Sequence, residues 1–311
     1  MRVFVTGATG LVGRALVPEL IRHGHDVVGL ARTIASRSML HAMRAVACSG
    51  QGADVELLSD ALSGVHAIVH LATGIPANEA AVEDEWPRKR EVIVGMLANL
   101  LEASERSGVR TVIFPGFYGV YGDHGDEWVT EETPLAPDKA SRPFAEAEEL
   151  LLRSTEARRS IGVILRLGMV YAADALHTRG LLYGLRRGQI AIRGDGRMYW
   201  PQLHVEDAAQ AIRLALERSP AGEIFNICDN EPVRQSELYR HLAAWAGGPP
   251  LPSDTGPLSP YLGSLNLSSL SLSVRMSNRK AKAKLGFKPR YPTYREGYRA
   301  IIEEWKREGT D

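Results

Sequence analysis

Cysteine is scarce in this 311-residue chain: Cys48 and Cys228 stand far apart, with no CxxC and no metal-ligand spacing. That excludes a disulfide scaffold or a cysteine-bound metal, and a reducing cytoplasm is the expected compartment. An excess of charge of one sign is also missing, since 37 Lys and Arg balance 37 Asp and Glu. A basic nucleic-acid groove or membrane-binding face is not expected. Long apolar runs are absent too. The stretch Ala67–Leu71 is broken by His70 and soon followed by Gly74 and Pro76, far short of the ~20 residues of a bilayer span. Met1 and Arg2 lead straight into Val3, Phe4 and Val5, which reads as a strand and not as a secretory leader.

What is present is ordinary for a globular protein: 44% hydrophobic and 24% charged residues, enough chain for one large domain or two small ones sharing a core. Val3–Val5 is a short strand ending in Thr6-Gly7-Ala8-Thr9-Gly10-Leu11-Val12-Gly13. A helix follows, with Val12, Leu16 and Leu20 at i+4 spacing and Gly24 closing it; Pro18 removes one donor and is expected to bend it. Further strands are predicted at His25–Ala31, within Met43–Gly52, and at His66–Ala72, Thr111–Phe114 and Gly162–Leu167. Helices are predicted at Val92–Ser104 and Ala145–Ser154. Strands alternating with helices imply a doubly wound parallel sheet covered on both faces. From Tyr171 onward the alternation is irregular. Pro and Ser crowd Pro249–Ser273, which reads as solvent-facing, with Leu258, Leu262, Leu265 and Leu267 as packing points.

The glycine segment carries the first chemistry. Between a strand and an amphipathic helix, Gly7, Gly10 and Gly13 permit a tight turn, close approach of backbone to a pyrophosphate, and close helix-to-strand packing. Thr6, Thr9, Leu11 and Val12 complete that turn. Where an NAD site places a carboxylate after the second strand, this chain has Leu30-Ala31-Arg32. Arg32, assisted by Arg37, suits a 2'-phosphate through charge-assisted hydrogen bonds, so NADP is expected over NAD. Asp54 and Val55, after the third strand, are candidates for the adenine, and Leu71 and Ala72 for the floor of the crevice.

These residues resemble the extended short-chain dehydrogenase/reductase family, the NAD-dependent epimerase/dehydratase group. The likeness runs from Thr6–Gly13 through Val69-His70-Leu71-Ala72, Val120-Tyr121-Gly122, Leu165–Tyr171, His204–Ala209 and Gly222–Ile227 to Lys284–Pro289. It implies a dinucleotide-binding Rossmann domain over 1–170 and a smaller C-terminal α/β substrate domain over 171–311, with Ile224–Ile227 returning to the sheet. A homodimer is compatible with it, and no metal is implied.

The family's proton relay is a Tyr-x-x-x-Lys pair with a Ser or Thr: phenol as acid or base, ammonium to lower its pKa, hydroxyl to hold the substrate oxygen. Anchored on Ala147-Glu148-Glu149-Leu150, the Tyr and Lys positions hold Ala140 and Phe144; a one-residue shift gives Ser141 and Ala145 instead. The Ser or Thr position holds Phe117, and a frequent Asn in the fourth helix is Val92. Tyr118 and His124, just past the fifth strand, are the candidate surrogate acids. His124 is expected to matter more, because imidazole titrates near neutrality unaided. Tyr121 is read as core, and His204 with Asp207 as a structural link. Nucleotide-sugar members carry an Arg where this chain has Trp200. Phe117, Phe144, Met169 and Trp200 therefore suggest an apolar pocket for a largely uncharged, non-nucleotide carbonyl or hydroxyl substrate. The expected activity is an NADP(H)-dependent oxidoreductase or epimerase-like reaction with a non-standard proton donor; a non-redox lyase, isomerase or cyclase and a silent NADP sensor are the alternatives.

Overall fold

A computed structural model describes residues 1–74, 86–192, 195–251 and 271–308. The proline- and serine-rich stretch, including Leu258, Leu262, Leu265 and Leu267, lies almost wholly outside them. Seven short apolar segments pair in parallel: β1 (Arg2–Thr6), β2 (Asp26–Ala31), β3 (Val46–Ser49), β4 (Ala67–His70), β5 (Thr111–Phe117), β6 (Ile161–Leu167) and β7 (Ile224–Ile227). Their order across the sheet is β3-β2-β1-β4-β5-β6-β7, so the direction of winding reverses between β1 and β4. Ligand crevices of doubly wound sheets open at such a switch point, beyond the carboxyl ends of the strands. Apart from the edge strand β3, whose residues are exposed or half-buried, the strands are buried on both faces, as a parallel sheet between helices requires, with Val3, Val5, Val69 and Ile113 in one core and Phe4, Ile68, Val112 and Ile164 in the other.

Helix α1 (Leu11–Arg22) packs Leu16, Val17 and Leu20 inward and runs unbroken through Pro18. Helices α2 (Ile34–Ala42) and α3 (Val55–Ala61) start on side-chain caps: Thr33 with Ser36 in a capping box, and Asp54 accepting from the Leu57 amide at 3.0 Å. The helix expected over 92–104 is longer and interrupted. It comprises α4 (Trp86–Arg90), a π turn at Glu91–Gly95 and α5 (Met96–Ser107), closed by Gly108 in the left-handed region. Then come α6 (Arg142–Glu156), α7 (Leu176–Arg186), α8 (Val205–Arg218), α9 (Gln235–Trp245) and α10 (Tyr294–Glu308). In the C-terminal part three two-stranded pairings join distant segments: 169–171 with 202–204, 199–200 with 233–234, and 128–129 with 275–276. Among the described residues no helix is long and apolar enough to cross a membrane.

Candidate functional site

At the carboxyl end of β1 the chain turns at Gly7, whose φ of +67° is open to glycine without strain. A Cβ there would lie 2.7 Å from the Leu71 carbonyl carbon, and one at Gly13 would lie 2.3 Å from the Gly7 oxygen. These two glycines thus serve the protein's own packing, loop on loop and helix on turn. Gly10 differs. A Cβ there meets only the Gly7 oxygen, at 3.2 Å, so a side chain would project into open space above the turn.

Helix α1 starts from Gly10 with no side-chain cap and no acidic residue in its first turn, whereas α2 and α3 are capped by their own side chains. Its first amides and the positive end of its dipole are left to a ligand, and an anion is what they hold best. Open space at Gly10 and an uncapped helix beneath it fit the diphosphate of a dinucleotide. Thr9 and Leu11 stand at this entrance, the Thr9 carbonyl accepting from Arg14 Nη1 at 3.2 Å, and Val12 is half-buried just behind it.

The flank is built from β2, β3 and β4. Arg32 is exposed, directly after β2 and directly before the Thr33 cap of α2; Arg37, also exposed, lies one turn into that helix. Asp54 spends one carboxylate oxygen on the α3 cap, and Val55 is the first residue of that helix. Leu71 and Ala72 follow β4 and meet Gly7; the Leu71 amide donates to the Thr6 carbonyl at 3.1 Å and the Ala72 amide to Thr6 Oγ1 at 3.4 Å.

Past β5 the side chains become aromatic. Phe117 ends the strand, with its ring centroid 4.6 Å from that of Tyr118 and 5.6 Å from that of Phe144 on α6. Positions 117 and 144 therefore face each other past the end of β5. Here they make a ring-on-ring contact. Ala140 is buried just before α6. Pro115 precedes this wall within β5, beyond the last residue that β4 pairs, where a missing amide costs no bond to that neighbour.

His124 does not join the wall. Tyr118–Tyr121 forms a 3-10 turn that carries the chain towards β6 and β7: the Tyr121 hydroxyl donates to Asn226 Oδ1 at 2.7 Å and accepts from Arg166 Nη1 at 2.7 Å. Arg166 is held in turn by Glu148, the pair almost fully buried at 2.8 Å. Burial pushes the Tyr121 phenol up to about 12 despite that guanidinium, so its core reading stands. Beyond it, His124 Nε2 lies 3.1 Å from the Tyr121 carbonyl, and its loop is tied to Ser273 by the His124 amide and the Asp123 carboxylate. Trp200 is as enclosed as Tyr118, its ring 1% exposed and packed edge-on against Tyr239. Met169 is buried beside it, its sulfur accepting from Gln202 at 3.8 Å. Tyr118 remains at the wall, but only 1% exposed and with interactions of its own.

One residue was passed over as a family match alone. His70, at the end of β4, is fully enclosed between Thr6 Oγ1 at 2.7 Å and the Ile93 carbonyl at 3.0 Å. Burial pulls its pKa down to about 4, against the opposing pull of the Ile93 and Val92 carbonyls. A histidine within an apolar strand gives no sequence cue to partners so distant along the chain.

Residues 3–228 match the model of the NAD-dependent epimerase/dehydratase family. The chain belongs to that family. It is an extended short-chain dehydrogenase/reductase, as the ordered motifs led one to expect, within a family whose members are dehydrogenases, reductases and epimerases. Among relatives, the 3-diazoavenalumate denitrifying reductase of a Streptomyces species is 28% identical over 96% of this chain and 99% of its own length. The decarboxylating sterol-4-alpha-carboxylate 3-dehydrogenase of Dictyostelium discoideum is 27% identical over 76% of this chain and 74% of its own. In fold, the dTDP-glucose 4,6-dehydratase DesIV of Streptomyces venezuelae, solved with NAD bound, superposes with a TM-score of 0.81 at 22% identity, covering 100% of this chain and 98% of that one. The Asp207 carboxylate accepts from the Arg290 and Tyr291 amides at 2.5 and 3.1 Å, and the His204 ring lies against that of Tyr291 with 3.8 Å between centroids.

Proposed function

We propose that this family member is an NADP(H)-dependent oxidoreductase or epimerase-like enzyme acting on a largely uncharged, non-nucleotide carbonyl or hydroxyl compound, with its proton carried by a group other than a Tyr-x-x-x-Lys pair. The observation that carries this is the Phe117–Phe144 ring contact at the carboxyl end of β5, in the same molecule as an uncapped, open glycine turn at the end of β1. Cofactor machinery without the usual relay fits hydride chemistry with a changed acid better than loss of function. Two named relatives, a reductase and a dehydrogenase, support redox chemistry.

The roles follow from position. The α1 amides and Gly10 would hold the diphosphate, Arg32 and Arg37 the 2'-phosphate, and Asp54 with Val55 would border the adenine. When bound, the reduced nicotinamide supplies a hydride. Phe117 and Phe144, with Met169, would hold an apolar substrate face and exclude water. We assign the proton to Tyr118, the phenol that directly follows Phe117, because His124 is drawn away towards Ser273. A location in the cytoplasm fits such a cofactor.

The test is label transfer. Each prochiral face of 4-deuterated NADPH is incubated with the protein and a panel of hydrophobic ketones, and products are read by mass spectrometry. Deuterium in a product supports the reading. Turnover without label replaces it with a lyase, isomerase or cyclase, and binding of NADPH with no turnover across the panel replaces it with a silent sensor.

A further inference from the structure

We propose that His70 is the positioning residue of the cofactor crevice, its imidazole tying the glycine turn after β1 to the π turn at Glu91–Gly95. This rests on the reading that the crevice takes a nicotinamide dinucleotide. Its argument starts from a carbonyl. Ile93 O lies 3.0 Å from His70 Nε2 and is only an acceptor, so Nε2 must carry the hydrogen in the neutral ring. Nδ1 is then an acceptor, and the Thr6 hydroxyl, 2.7 Å away, must donate to it. With its hydrogen committed, Thr6 Oγ1 turns its lone pairs outward and accepts the Ala72 amide at 3.4 Å. One carbonyl in a helix thus sets the direction of every bond up to the loop after β4.

That loop bounds the glycine turn. A Cβ on Gly7 would lie 2.7 Å from the Leu71 carbonyl carbon and 2.8 Å from the Ala72 nitrogen, so a displaced Leu71–Ala72 backbone displaces Gly7 with it. At the other end, Ile93 sits in a π turn, a local irregularity of the kind that helices keep at functional sites. Its neighbour Val92 packs on Gly74, 3.2 Å from where a Cβ would stand. Stacking on Phe114, at 5.9 Å and 27°, keeps the imidazole in the plane that these bonds require. Enclosure keeps it neutral, with a pKa near 4, so the pattern persists at physiological pH.

The experiment is calorimetric titration of the full chain with NADPH, with circular dichroism melts to establish folding. His70→Phe, which keeps the stacking but loses both bonds, and Thr6→Val, which keeps shape but loses the hydroxyl, should each weaken binding at least ~10-fold, a coupling of about 1.4 kcal/mol. Because both act through one chain of bonds, the double variant should be no worse than the poorer single within about threefold. His70→Asn, which leaves an acceptor towards Thr6, should recover most of the loss. If folded variants bind within about twofold of wild type, or if the two losses multiply in the double variant, the role of His70 is overturned. Should His70→Phe not fold, Thr6→Val and His70→Asn decide in the same way. A wild-type chain that binds neither NADPH nor NADH overturns the reading of the crevice itself, a result separable from the first because it needs no variant.

Discussion

At the scale of single residues, chemistry at the candidate site turns on which groups stand at the end of β5. Imidazole is the better acid near neutrality, and from sequence alone His124 ranks first. Geometry reverses that order, because the Tyr121–Arg166–Asn226 bonds carry the chain towards β6 and β7 before His124 is reached. Single-turnover reduction by NADPH should therefore fall by at least ~10-fold in Tyr118→Phe and stay within about threefold of wild type in His124→Ala. A larger loss from His124→Ala would restore it as the acid. The same comparison shows why site residues were only partly legible. Gly10, Arg32 and Phe117 are fixed by short-range order, a turn or a strand end, and the sequence displays that. Trp200 is an aromatic in a strand, and nothing local separates a wall residue from one packed on Tyr239.

Among elements, the alternating strands and helices were legible because each strand of a doubly buried sheet is a short apolar run. Both β2 and β6 were expected within one residue of where they lie. The π turn at Glu91–Gly95 was not, since nothing in its own sequence marks it, and the His70 ring that its Ile93 carbonyl meets at 3.0 Å comes from another element. Helix α6 shows a similar dependence. Its Glu148 is a polar residue on the buried face, tolerable only because Arg166 of β6 faces it with two nitrogens between 2.8 and 3.2 Å. Desolvation raises the Glu148 pKa against that guanidinium. Cutting one partner leaves an uncompensated buried charge. Arg166→Met should accordingly cost about 3–5 kcal/mol in urea denaturation and loosen the Tyr118–Tyr121 turn, whereas exchange of both partners for Met and Leu should cost much less. Equal losses in the single and double variants would remove the pair from this role.

For the whole molecule, burial of titratable groups gives stability a definite acid dependence. His70 and His204 are both held near a pKa of 4, His70 by burial and His204 by burial with Arg290 beside it; burial leans His177 the same way. Between an unfolded imidazole pKa of about 6.5 and these folded values, the unfolded chain takes protons that the folded one refuses, so stability falls as pH drops through that window. Asp207 works oppositely. Burial raises it to about 6, and its contribution is present in acid and lost as pH rises through that value. Burial raises Asp229, Glu131 and Glu148 as well, so the histidine contribution is read by difference: from pH 6.5 to 4.5 the melting temperature of His70→Phe should fall less, or rise more, than that of wild type; an unchanged slope in that variant would place the proton uptake elsewhere. The central claim joins all three scales: a dinucleotide crevice, open at Gly10 and carrying Arg32 where a carboxylate would select NAD. Calorimetric titration of wild type and Arg32→Ala with NADPH and NADH tests it most directly. Wild type should bind NADPH at least ~10-fold more tightly than NADH, with Arg32→Ala losing most of that preference through weaker NADPH binding alone; equal affinities in wild type, or equal losses for both dinucleotides, would contradict the account.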